Sequence, residues 1–126
     1  MALETLKIYE ERDIIGHVRT LAPRFQAGLR KLQEHSLVGD VRGVGLMAGL
    51  ELVRDKATKQ PFDAKAGVGL FFEKCAHEQG LLMRGRGELL VLSPPLIITD
   101  TEIDELLARL GRALDDTAAY VRRSEL

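Results

Sequence analysis

Two arginines stand where side-chain chemistry is conceivable. They lie in Leu81-Leu82-Met83-Arg84-Gly85-Arg86-Gly87-Glu88, followed by the apolar run Leu89 to Leu92. Short apolar runs bounded by glycine and proline read as buried strands. We expect strands at Leu81–Met83 and Leu89–Leu92, joined by a hairpin. Arg84 then ends a strand, where a guanidinium can hold a carboxylate through two parallel hydrogen bonds. The plainer reading is a solvated arginine at a hairpin end. Arg86 is the secondary candidate, because the pattern places it in the turn, free to face water.

Other reactive residue types are poorly arranged. Cys75 falls on an apolar helical stripe beside Phe71 and Phe72, as a structural thiol would. His17, His35 and His77 are scattered, with no metal-ligand spacing to cysteine or carboxylate, so no metal site is expected. The glycines of Gly43-Val44-Gly45-Leu46-Met47-Ala48-Gly49 lead into a strand and lack dinucleotide spacing. No serine sits in a nucleophile elbow. Asp40 and Glu51 lie on strands, but alternation points them to opposite faces, which argues against an acid–base pair.

The elements that position these residues follow from periodicity. Ala2 to Arg12 reads as a helix with Leu3 and Leu6 on one side. A second helix runs from about Ile14, with Asp13 as N-cap, to about Glu34. Its stripe is Ile14, Val18, Leu21, Phe25 and Leu29, and Pro23 should kink it or break it at Ala22. Val38–Gly45 and Leu46–Val53 read as two strands turning at the glycines. Ala64 to Gln79 reads as a helix capped by Asp63 and stopped by Gly80. Thr99-Asp100-Thr101-Glu102 is a capping box that opens the last helix. Strand pairs with short turns predict an α+β fold: a small antiparallel or mixed sheet of three to four strands with helices on one face.

Composition sets outer bounds. The 126 residues suit one domain, and 45% are hydrophobic. Lysine plus arginine number 18 against 19 acidic residues, so no electrostatic footprint suggests nucleic acid or a membrane surface. No run approaches a membrane span, and one cysteine suggests a reducing, cytoplasmic setting. No capping residue precedes Ala2, so we expect the C-terminal part of a longer protein.

Three stretches together resemble the C-terminal small domain of the class III pyridoxal-phosphate (PLP) aminotransferases. They are Val-Gly-Asp-Val-Arg-Gly-Val-Gly-Leu-Met-Ala-Gly-Leu-Glu-Leu-Val (38–53), Gly-Leu-Leu-Met-Arg (80–84) and Ser-Pro-Pro-Leu-Ile-Ile-Thr (93–99). The resemblance is strongest to the ω-amino acid:pyruvate and amine:pyruvate transaminases. It implies that residues 1–35 are a helical passage from a missing large domain and that residues 36–126 form the small domain. It implies a homodimer acting on an amine and a 2-oxo acid, with Arg84 as a mobile carboxylate-binding residue. Val91-Leu92 stands where the acetylornithine branch usually carries an arginine. The family's cofactor lysine and other cofactor-binding residues belong to the large domain; Lys7, Lys31, Lys56, Lys59, Lys65 and Lys74 match none of them. The chain alone is therefore expected to be inactive. The alternative is a free-standing, non-catalytic α+β binding or regulatory module.

Overall fold

The computed structural model describes residues 1–126. Helix α1 (Ala2–Glu11) and helix α2 (Ile14–Leu32) precede strands β1 (Val38–Val44) and β2 (Met47–Leu52). A 3₁₀ turn (Ala64–Ala66) leads into α3 (Val68–Glu78), then β3 (Arg84–Arg86), β4 (Leu89–Leu92) and the long α4 (Asp100–Arg123). The four strands form one antiparallel sheet in the order β1-β2-β4-β3. This is the expected α+β arrangement.

Alternation along the strands divides the sheet into two faces. Ala48, Leu50, Leu52, Leu90 and Leu92 are buried in one cluster with Phe25 and Leu29 of α2, Phe72 of α3, and Leu110 and Leu114 of α4. Met47, Glu51 and Val91, between them, are exposed. The helices therefore cover one face and leave the other open. Helix α1 buries none of its residues.

Several local expectations need correction. The break at Ala22 does not occur: α2 continues through Pro23, because Leu21, Phe25 and Leu29 are buried on either side of it. Asp13 does not cap α2 through its side chain; it turns the chain in the left-handed region at φ 47°, a conformation aspartate tolerates. The helix expected from Ala64 is split, since Gly67 at φ 64° ends the 3₁₀ turn and α3 starts at Val68. Leu81–Met83 is not a strand. Gly80 at φ 85° ends α3, with its amide on the His77 carbonyl and the Leu81 amide on the Ala76 carbonyl. Those paired bonds are a Schellman stop. The chain is still leaving the helix at Leu81, and ladder pairing begins at Arg84.

The capping box is present as expected. The Thr99 hydroxyl accepts from the Glu102 amide at 3.2 Å, and the Glu102 carboxylate accepts from the Thr99 amide at 3.0 Å. Thr99→Ala should lower stability by about 1 kcal/mol, read as a shift in the urea midpoint at unchanged slope.

An exposed ion pair joins α2 to α4, with Arg24 Nε donating to Asp104 Oδ1 at 2.8 Å. The bond to Arg24 holds the Asp104 carboxyl below its usual 3.8. A depressed carboxyl stabilises the fold while ionised and loses that contribution as it is protonated. Stability should therefore drop as pH falls below about 4. Asp104→Asn should flatten that acid limb in denaturation curves recorded across this range.

Candidate functional site

The site lies at the edge of the sheet that β3 forms. Arg84 pairs with Val91, Gly85 with Leu90 and Arg86 with Leu89. Leu90 points into the core, so Gly85 does too, while Arg84 and Arg86 share the open face with Val91 and Leu89. Arg84 opens its strand; the expectation that it ends one is corrected. Arg86 is not in the turn. The turn is Gly87-Glu88, with Gly87 at φ 64°, and Arg86 is a strand residue. Both arginines are exposed, and neither makes an ion pair or side-chain hydrogen bond.

Register extends the open face across the sheet. One row runs Arg42, Gly49, Val91, Arg84; the next runs Asp40, Glu51, Leu89, Arg86. Asp40 and Glu51 are thus direct cross-strand neighbours, against the expectation that they face apart. A β-bulge between Val38 and Asp40 adds one residue to β1 and inverts the alternation beyond it. Arg42 lies 3.3 Å from both carboxylates, so its charge is already matched. Arg84 differs in having its guanidinium unengaged.

A cleft of about 390 Å³ adjoins Arg84. It is lined by Leu81 to Arg84, by Val91 to Pro95, and by Ile98 and Leu106. The lining is mainly apolar, with a cation among it. That arrangement suits a small carboxylate whose carbon chain prefers the cleft and whose charge meets the guanidinium. His17 steadies the cleft from α2, its Nε2–H donating to the Ile98 carbonyl at 2.7 Å.

Helix α3 grips the hairpin that carries Arg84. The Gly85 amide donates to Glu73 Oε1 at 2.6 Å, and Glu73 is half-buried. One helical turn earlier, Gly69 lies so close to the hairpin that a side-chain carbon there would overlap the Gly87 carbonyl. Sequence reasoning missed Glu73. The available signal was its spacing of four from Gly69, which places both on one helix face.

The remaining reactive groups have structural roles. Cys75 is buried, and burial pushes its thiol up, away from the reactive thiolate. His35 accepts the Leu37 amide at Nδ1 and donates from Nε2 to Asp115 at 3.0 Å. His77 is exposed at the end of α3. No group of three His, Cys, Asp or Glu residues is gathered for a metal ion. No helix is long and apolar enough to cross a membrane.

The chain thus combines a four-stranded antiparallel sheet, helices on one face of it and an arginine without an ion pair at the sheet edge. Residues 1–114 match the family model described as aminotransferase class-III, and the chain belongs to that family. It is 44% identical over 117 residues to a probable γ-aminobutyrate transaminase 3, mitochondrial, of Oryza sativa subsp. indica, covering 93% of this chain and 23% of that protein. It is 43% identical over 122 residues to the putrescine–pyruvate aminotransferase of Pseudomonas aeruginosa, covering 96% of this chain and 26% of that protein. The fold matches an ω-aminotransferase from Paracoccus denitrificans with a TM-score of 0.91 and 39% identity, over 95% of this chain and 27% of that one. The chain thus spans about a quarter of the length of the curated relatives it matches.

Family membership implies PLP. That cofactor needs a lysine amine and a partner for its ring nitrogen. The cleft lining contains neither a lysine nor a carboxylate. Lys56 and Lys59 are engaged with backbone carbonyls of Gln33, His35 and Gly39, away from the cleft. The residues lining the cleft do not by themselves fit the cofactor, and no chemical step through it follows from them.

Proposed function

We propose that the chain is the C-terminal part of a PLP-dependent aminotransferase that moves an amino group from an amine or ω-amino acid to a 2-oxo acid such as pyruvate. In this reading residues 1–35 lead from a large domain into the small domain, residues 36–126, and the whole enzyme is a homodimer. The large domain supplies the cofactor site. Arg84 supplies the charge that orients the substrate carboxylate. The single observation that carries the reading is the unpaired guanidinium beside an apolar cleft.

A free arginine suits the chemistry. A transaminase that takes a carboxylate-free amine in one half-reaction and a 2-oxo acid in the other must tolerate both in one site. A guanidinium desolvated without a partner is costly. An arginine on an edge strand, joined to its neighbour by a glycine-containing turn, can meet water when the amine is bound and the carboxylate when the 2-oxo acid is bound. The Pseudomonas aeruginosa relative, a putrescine–pyruvate aminotransferase, pairs a diamine with pyruvate, which supports this division of substrates. The single buried Cys75 supports a reducing compartment such as the cytoplasm.

The test is amino transfer by the full-length protein supplied with PLP. Alanine should form from pyruvate with putrescine or γ-aminobutyrate as donor. Absence of amino transfer from every amine and ω-amino acid in a broad donor panel would overturn the reading.

A further inference from the structure

We infer that Glu73 is a positioning residue for Arg84: its carboxylate holds the edge strand β3 through the Gly85 amide and so aims the neighbouring guanidinium at the cleft. The inference rests on the carboxylate-binding role of Arg84 and adds a residue to it.

Strand β3 has three residues and lies at the sheet margin, paired with β4 alone. Such a short edge strand has little to fix its position. Its central amide, Gly85 N–H, leaves the sheet and meets Glu73 Oε1 at 2.6 Å. Glu73 forms no ion pair, so this amide is its one assigned partner. A hydrogen bond to an ionised acceptor is shorter and stronger than a neutral one. The close approach of Gly69 to the Gly87 carbonyl fixes the far end of the same hairpin. Helix α3 therefore meets the hairpin at two points, one in β3 and one in its turn, and Arg84 is one peptide unit from the nearer.

Two features separate this from generic packing. Glu73 is a half-buried carboxylate with the Gly85 amide as its hydrogen-bond partner, and it contacts backbone, so it does not restrain the Arg84 side chain. The strand is held while the guanidinium stays free. Removing the carboxylate returns the Gly85 amide to water and lets β3 shift. A misplacement of about 1 Å at a substrate-positioning group can cost up to about a hundredfold.

The experiment uses the full-length protein with PLP and measures each half-reaction separately, one with pyruvate and one with a carboxylate-free amine. Glu73→Ala should raise KM for pyruvate roughly tenfold or more, with kcat and the amine half-reaction within about twofold of wild type. Glu73→Gln keeps an oxygen acceptor for Gly85 and should recover most of the loss. Glu73→Asp keeps the charge but shortens the reach, and should resemble alanine even if Glu73→Ala itself folds poorly. In an Arg84→Ala background, Glu73→Ala should add almost nothing, because both act on one contact. Equal losses in the two half-reactions, or full additivity with Arg84→Ala, would overturn the positioning role while leaving Arg84 as the carboxylate ligand. If Arg84→Ala alone spares pyruvate, both readings fall.

Discussion

Arg84→Ala in the full-length protein should lower kcat/KM for pyruvate by about 10- to 150-fold, the equivalent of the roughly 1.5–3 kcal/mol of a hydrogen bond to a charged group. The carboxylate-free amine should lose less than about threefold, since nothing on it meets the guanidinium. The size of the loss follows from the surroundings. Arg84 has no competing partner in the chain, so it binds substrate without first giving up an ion pair. The adjoining cleft is mainly apolar, which keeps water from replacing the contact in full. Arg84→Lys should recover only part of the rate, because an ammonium lacks the planar fork that grips both carboxylate oxygens. Arg86→Ala, on the same face but outside the cleft lining, should change either half-reaction by less than about threefold.

Phe25→Ala should destabilise the 126-residue chain by about 3–5 kcal/mol, a large share of a small domain's stability. Phe25 is fully buried and packs in the cluster that also holds Phe72, Leu110 and Leu114. Its ring is the largest group that α2 places in that core, so its removal leaves the largest cavity α2 can create there. Leu6→Ala is the matched control. Leu6 is exposed on α1, so its removal should shift the urea midpoint by no more than about 0.5 kcal/mol in free energy. A small effect at Phe25 would mean that α2 is not part of the cooperative unit.

Much of the fold was legible because its signals are local. The capping box at Thr99 and Glu102 needs only neighbouring residues, and it was found where the pattern put it. The stop at Gly80 and the alternation of Ala48, Leu50 and Leu52 are of the same kind. Misses came where a local signal depends on pairing. The bulge before Asp40 adds one residue to β1, so parity counted along the chain failed and Asp40 and Glu51 came out on the wrong relative faces. Leu81–Met83 is apolar and short enough for a strand, but the Schellman stop uses the Leu81 amide and delays pairing. Arg84 was visible as a candidate. Glu73 was not, because its meaning lies in a contact twelve positions away.

The central claim is that Arg84 is a carboxylate clamp, and inhibition by an unreactive acid tests it without the chemistry of transfer. Propionate and 1-propanol have nearly the same carbon skeleton and differ in charge. Their inhibition constants against pyruvate would be measured on the full-length protein and on Arg84→Ala. The account predicts that the substitution raises the propionate constant at least about tenfold and leaves 1-propanol within about twofold. An unchanged propionate constant would contradict it.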